Sequence, residues 1–150
     1  MDGGDAQAPW TPIEITEGEW AGWKVWSSDP YELLSGPFYC RDEADGRTVC
    51  AFRAENKHMN GGGFMHGGCL MTFADYALFC IASEELGGGG SVTASLNGEF
   101  IDAAREGDLV EARGEVIRAG GSLVFIRGIV STAGRPLLNF SAIVKKVRRT

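Results

Sequence analysis

At 150 residues, with 44% apolar and 23% charged side chains, the chain has the size and composition of one globular domain, able to bury a core without disulfides or a structural metal. Fourteen basic against twenty acidic side chains leave a net charge of −6, which excludes a nucleic-acid binder, because neutralising phosphates takes a basic face. No apolar run approaches the roughly 18 residues that carry a helix across a bilayer, so no membrane association is expected. The start, Met1-Asp2-Gly3-Gly4-Asp5, is polar and has no apolar h-region, which argues against a secretory signal. Cys40, Cys50, Cys69 and Cys80 each lie in an apolar stretch and read as free buried thiols of a cytoplasmic protein.

Residues 1–12 lack periodicity and are expected to fray. From Ile13 to Trp26, tryptophans at 20, 23 and 26 predict a short helix laying one aromatic stripe on the body, ended by Asp29-Pro30. Pro37–Arg41 and Arg47–Ala54 predict two strands joined by the polar turn Asp42-Glu43-Ala44-Asp45-Gly46. Asn56–Gly63 is a loop. Gly67 to about Glu85 predicts the one long helix, apolar nearly all round and therefore buried, stopped by Gly87-Gly88-Gly89-Gly90. The period then changes to two. Ser91–Asp102, Leu109–Arg118, Ser122–Thr132 and Pro136–Val147 predict four strands whose short joins suit antiparallel neighbours. Two strands, a buried helix and four strands give an α+β fold, a curved antiparallel sheet wrapped round one helix, because that helix needs a sheet to cover it. Residues 36–150 form this domain and residues 1–35 an extension.

The candidate chemistry lies where the glycine-rich loop enters the helix. Asp75 is an isolated carboxylate in a buried helix, so it must be partnered, neutralised or open to a cavity; as a functional group it would be a general base or nucleophile. His66-Gly67-Gly68 stands at the helix start, where backbone N–H groups have no intrahelical partner and glycine lets a substrate approach, as an oxyanion site requires. Gly67 and Asp75 are eight residues apart, a rise of about 12 Å along a helix. An oxyanion donor and an attacking group have to meet at one reacting centre within about 3 Å. If both act, the second comes from another copy of the chain, most simply across a two-fold axis in a homodimer.

Asn60, Gly63, His66-Gly67-Gly68, Asp75 and Ala77, in this spacing, resemble the hotdog-fold thioesterases, specifically the PaaI-like acyl-CoA thioesterases, over about Gly36 to Val147. The resemblance implies that Gly67 donates its N–H to the thioester oxygen and that Asp75 of the opposite subunit activates water or attacks. It further implies that Asn60 orients the water or carboxylate, that His66 positions the thioester, and that Thr93 completes the site. Gly68, Phe64, Met71 and Tyr76 would line the substrate, with no metal or cofactor needed. Acyl-CoA would be the substrate and a dimer of dimers the assembly. Arg118, Arg127, Lys145, Lys146, Arg148 and Arg149 are candidates for the CoA phosphates. The rival readings are a hotdog dehydratase or hydratase, a non-catalytic acyl-CoA-binding module and, more remotely, a zinc site at His58, His66, Cys69 and Asp75, whose spacing fits no known ligand pattern.

Overall fold

The computed structural model describes residues 11–148. Strands β1 (Ile13–Glu14) and β2 (Lys24–Val25) precede helix α1 (Pro30–Ser35), and strands β3 (Tyr39–Asp42) and β4 (Thr48–Arg53) follow. A single 3-10 turn (Asn56–His58) leads to helix α2 (Gly67–Ile81) and a short α3 (Ser83–Leu86). Strands β5 (Ser91–Phe100), β6 (Leu109–Ala119), β7 (Leu123–Thr132) and β8 (Arg135–Lys146) complete the chain. All eight strands form one antiparallel sheet in the order β1-β2-β3-β4-β6-β7-β8-β5.

The four long strands alternate as the period of two requires; β7, for example, sends Val124, Ile126 and Val130 inward and Phe125, Arg127 and Ile129 outward. Their inner faces wrap α2, whose Leu70, Phe73, Ala74, Ala77 and Leu78 are almost wholly buried. Phe73 meets Phe38 and Phe52 at ring separations of 5.3 and 4.7 Å, which ties the helix to the residue before β3 and to β4. The wrapped helix and curved sheet are the architecture expected from the element order.

Four expectations are corrected. The tryptophan segment is not a helix: β1 and β2 pair as a hairpin, Ile13 opposite Val25, and glycines at 18 (φ 79°) and 22 (φ 87°) take left-handed conformations that no helix accommodates. The three indoles separate accordingly. Trp20 stacks on Tyr39 at 4.1 Å and Trp23 lies edge-on to Trp20 under Arg41, while Trp26 packs on Tyr76. Secondly, Asp29-Pro30 starts a helix rather than breaking one: Asp29 Oδ1 caps the Glu32 N–H at 3.0 Å and Pro30 holds the first helical position. Thirdly, the long helix ends at Ile81, and Ser83–Leu86 is a separate turn closed by left-handed Gly87. Lastly, β5 and β6 are not neighbours. β5 pairs with β8 at the far edge and β6 pairs with β4, and the link between them is tied to the loop before α2, with Ala104 buried and its carbonyl accepting the Met65 N–H at 2.8 Å.

The expected fraying of residues 1–12 lies largely outside the described residues, as does Arg149. Among the described residues no helix is long and apolar enough to cross a membrane.

Candidate active site

The start of α2 is built by side chains that fold the loop before it. Asn60 Oδ1 accepts the N–H groups of Gly62 (2.9 Å) and Phe64 (3.2 Å), an Asx turn that coils the glycine-rich loop. His66 is the N-cap: its Nδ1 accepts the Gly68 N–H at 2.8 Å, so the neutral ring carries its proton on Nε2. The Gly67 N–H has no partner among the described residues and stands at the positive end of a fifteen-residue helix. A side chain at position 67 would press on the Phe100 ring, its Cβ 3.1 Å from Cε1. Asn60, His66 and Gly68 are exposed, and Phe64 is half-exposed beneath the Arg105 guanidinium, 4.5 Å from the ring centre.

The other histidine has a structural job. His58 is buried; its Nδ1 accepts the Glu55 N–H (2.9 Å) and its Nε2 donates to the Ser35 carbonyl (2.6 Å), which latches the loop to the end of α1. Both ring nitrogens are thus engaged, and no cluster of metal-ligating side chains occurs among the described residues.

Along α2, Gly68, Thr72, Asp75 and Phe79 recur at helical spacing and form a stripe that is not fully buried. Asp75 sits midway on it and accepts a 2.6 Å hydrogen bond from Thr93 Oγ1. That contact depends on a bulge: Thr93 pairs with Val144 but Ser95 with Ile143, leaving Ala94 extra and re-aiming the strand so that Thr93 turns toward the helix. Asp75 opens into a cavity of about 560 Å³. Tyr76, Phe79 and Cys80 form its α2 wall, Gly88–Ser91 close one side, and Trp26, Ser28, Asp29, Pro30 and Glu32 form the opposite wall. Burial pushes the Glu32 carboxyl up to about 7, with the neighbouring Asp29 and Asp75 adding to it.

Of the residues expected at the site, the chain brings Asp75, Thr93 and Tyr76 together, and gathers Asn60, Phe64, His66, Gly67 and Gly68 into a second group at the helix start. Met71 faces neither directly; its sulfur packs over Gly98 of β5. Arg127 is ion-paired with Glu115. Sequence reasoning missed Glu32 in the wall beside Trp26. The signal was present in Asp29-Pro30 followed by Glu32, a helix start rather than a stop.

Tyr76 also lines the core. Its buried hydroxyl has no oxygen or nitrogen partner and lies against the thiols of Cys40 and Cys80. All four cysteines are free, and burial with the neighbouring thiols holds Cys40 and Cys80 well above ordinary thiol values, as inert packing groups. An unsatisfied buried hydroxyl costs stability, so Tyr76→Phe is expected to leave the fold as stable or raise it by about 1 kcal/mol. A urea midpoint well below wild type would show that the hydroxyl has a partner.

A family model described as the thioesterase superfamily matches residues 62–138, spanning the glycine-rich loop, α2 and β5 to β8, and the chain belongs to that superfamily. It is a thioesterase with the hotdog fold. Among curated proteins, a Pseudomonas aeruginosa protein with an esterase name is 33% identical over 120 residues, covering 79% of this chain and 90% of that one. Human acyl-coenzyme A thioesterase 13 is 28% identical over 99 residues, covering 63% and 68%. Among solved structures, the E. coli PaaI protein of the phenylacetic acid degradation operon superposes with a TM-score of 0.73 at 17% identity, covering 83% and 89%. A Streptococcus pneumoniae hypothetical thioesterase with coenzyme A gives 0.69 at 19%, covering 79% and 93%.

Proposed function

We propose that this thioesterase hydrolyses acyl-CoA thioesters to the free acid and coenzyme A, at sites shared between two copies of the chain. The observation that carries the reading is the separation of two half-sites on one helix. An unpartnered N–H at Gly67 begins α2, and a carboxylate held by Thr93 stands about 12 Å further along it. In this reading the thioester oxygen accepts from Gly67 of one subunit, and Asp75 of its partner activates water or attacks the carbonyl directly. Negative charge developing on the oxygen is met by the helix N-terminus, and the tetrahedral adduct expels the thiolate. Asn60 and His66 shape the polarising half, and Thr93 fixes the carboxylate.

A dimer has a ready seam. β5 lies at the edge of the sheet, ten residues long, with one side unpaired among the described residues. A further pairing into a dimer of dimers is supported by the outward Ile117, Leu123, Phe125 and Ile129 on β6 and β7. Residues 1–35 act as an extension, of which Trp26, Ser28, Asp29, Pro30 and Glu32 wall the Asp75 cavity, residues 36–150 act as the thioesterase domain, and the free thiols suit the reducing cytoplasm. Of the expected phosphate contacts, Arg118, Lys145 and Arg148 are exposed and would face the nucleotide end of the substrate.

Gly67→Pro tests the oxyanion half directly. Proline is tolerated at the first helical position, where His66 already has the extended backbone (ψ 133°) that precedes it; it removes the N–H but sets ring atoms toward Phe100, so Gly67→Ala, which adds the same Cβ and keeps the N–H, is the control. The expected loss in kcat is about 10²- to 10³-fold, read as thiol release from a panel of short, long and aromatic acyl-CoA substrates. Mixing Gly67→Pro with Asp75→Asn then restores about a quarter of wild-type activity, because half of randomly exchanged dimers carry one intact site out of two. No recovery despite demonstrated subunit exchange would place both groups in one subunit's site. A wild-type protein that binds acyl-CoA without releasing thiol would favour a binding module, and hydration of enoyl-CoA a hydratase.

A further inference from the structure

We propose that His58, with Lys57 beside it, is a positioning residue for the Gly67 N–H: its ring fixes the glycine-rich loop to the end of α1, and its carbonyl aims the start of α2. This rests on the thioesterase reading above and deepens it, because both residues act through Gly67 rather than on the substrate.

An oxyanion donor works only where it points. It has to lie within about 2.7–3.1 Å of the oxygen as charge develops there, and a displacement of about 1 Å can cost roughly a hundredfold in rate. Yet the segment that leads to Gly67 contains three consecutive glycines, 61 to 63, and has little stiffness of its own. The Asn60 turn coils the tip of this loop without tying it to the body. Two hydrogen bonds anchor the arm that enters the helix. The Met65 N–H donates to the Ala104 carbonyl at 2.8 Å, and the His66 N–H donates to the His58 carbonyl at 2.9 Å. The second anchor lies one residue before the Gly67 nitrogen, on the N-cap itself. Where the His58 carbonyl goes, the start of α2 follows.

His58 is in turn held from three directions. Its Nε2 donates to the Ser35 carbonyl at 2.6 Å, its Nδ1 accepts the Glu55 N–H at 2.9 Å, and its ring lies edge-on to Phe52 of β4 at 4.9 Å. One residue earlier, Lys57 Nζ donates to the Gly36 carbonyl at 2.5 Å and the Leu34 carbonyl at 3.3 Å. Three successive carbonyls at the end of α1 thus find their partners on two successive side chains of the loop, where a helix end has none of its own. A purely apolar side chain could fill the space of the ring. The two nitrogens add direction, since each bond fixes the ring relative to a different segment. Every one of these contacts is made within one chain and needs no second subunit.

The test uses the full chain and the acyl-CoA panel, with thiol release read well below the melting temperature. His58→Met fills the space of the ring without a nitrogen. It is expected to lower kcat about ten- to a hundredfold with KM within about twofold, because alignment is lost in the transition state. His58→Gln, whose amide N–H reaches about as far as Nε2, keeps the bond to Ser35 and stays within about threefold of wild type. In a Gly67→Pro background His58→Met costs less than about threefold, because the group it positions is already gone. A merely structural role would multiply the two losses, or lower the melting temperature and leave kcat unchanged; either result overturns the proposal, as do equal losses in His58→Met and His58→Gln. Should His58→Met fail to fold, Lys57→Met at the surface loosens the same joint. A loss of a few fold in kcat that vanishes in the Gly67→Pro background supports the proposal, and no loss, or one that persists there, overturns it. All these failures leave thioester hydrolysis intact. A wild type that releases no thiol from any substrate removes that reading as well.

Discussion

Asp75→Asn is expected to lower kcat for acyl-CoA hydrolysis by about three orders of magnitude while leaving the fold unchanged. The amide has nearly the shape of the carboxylate and its oxygen still accepts the Thr93 hydroxyl, whose 2.6 Å bond fixes the side chain. What it lacks is the capacity to take a proton from water or to attack a carbonyl. Thr93→Ala loses the tether but not the charge, and a hydrogen bond to a charged group is worth about 1.5–3 kcal/mol, so a ten- to hundredfold loss is expected. Thr93→Ser restores most of it, because the donor is the hydroxyl. Thermal melts of all three proteins check the fold. Hydrolysis by Asp75→Asn at the wild-type rate would remove Asp75 from the mechanism.

Gly128→Ala is expected to be the most destabilising single-methyl change on the sheet, by about 3 kcal/mol or more, read as a fall in melting temperature and in the urea midpoint. Gly114 of β6 and Gly128 of β7 face each other directly in the ladder, and Phe140 of β8 lies beside Gly128. A Cβ at 128 would lie 2.4 Å from Phe140 Cζ and 2.6 Å from the Arg113 carbonyl oxygen. The ring could turn only by leaving the core, and the carbonyl belongs to the paired strand. Gly114 is as crowded, with the Arg127 carbonyl oxygen 2.4 Å away and Ile81 of α2 at 3.0 Å. These two glycines let β6 and β7 close onto each other where the sheet bends round the helix. Gly121, with open space around it, is the control and should tolerate alanine. A melt of Gly128→Ala within two degrees of wild type would show that the sheet relaxes at no cost.

Both predictions concern residues whose importance was unevenly visible in the sequence. Asp75 stood out because a lone carboxylate inside an apolar run is improbable as packing. Gly128 did not: in a strand it looks like any weak position, and nothing local says that a phenylalanine twelve residues later fills the space above it. Similarly, the tryptophans at 20, 23 and 26 have helical spacing, yet the segment turns through left-handed glycines at 18 and 22. Spacing alone could not weigh those glycines against three large rings seeking separate places on the sheet.

The sequence by itself determined the parts whose cause is local. Strand alternation, the turn glycines, the uniformly apolar helix and the His66-Gly67-Gly68 start follow from period, conformational freedom and capping within a few residues. The same local rule, the fixed rise of a helix, puts about 12 Å between Gly67 and Asp75, so a site that uses both groups needs a second subunit. Tertiary structure alone decided what depends on contacts between distant segments. It put β5 beside β8 at the open edge, used the bulge at Ala94 to turn Thr93 onto Asp75, and folded the extension over α2 so that Glu32 faces the cavity. Each is a choice among chain paths with similar local energies, settled by which path buries the apolar helix and satisfies the polar groups beside it.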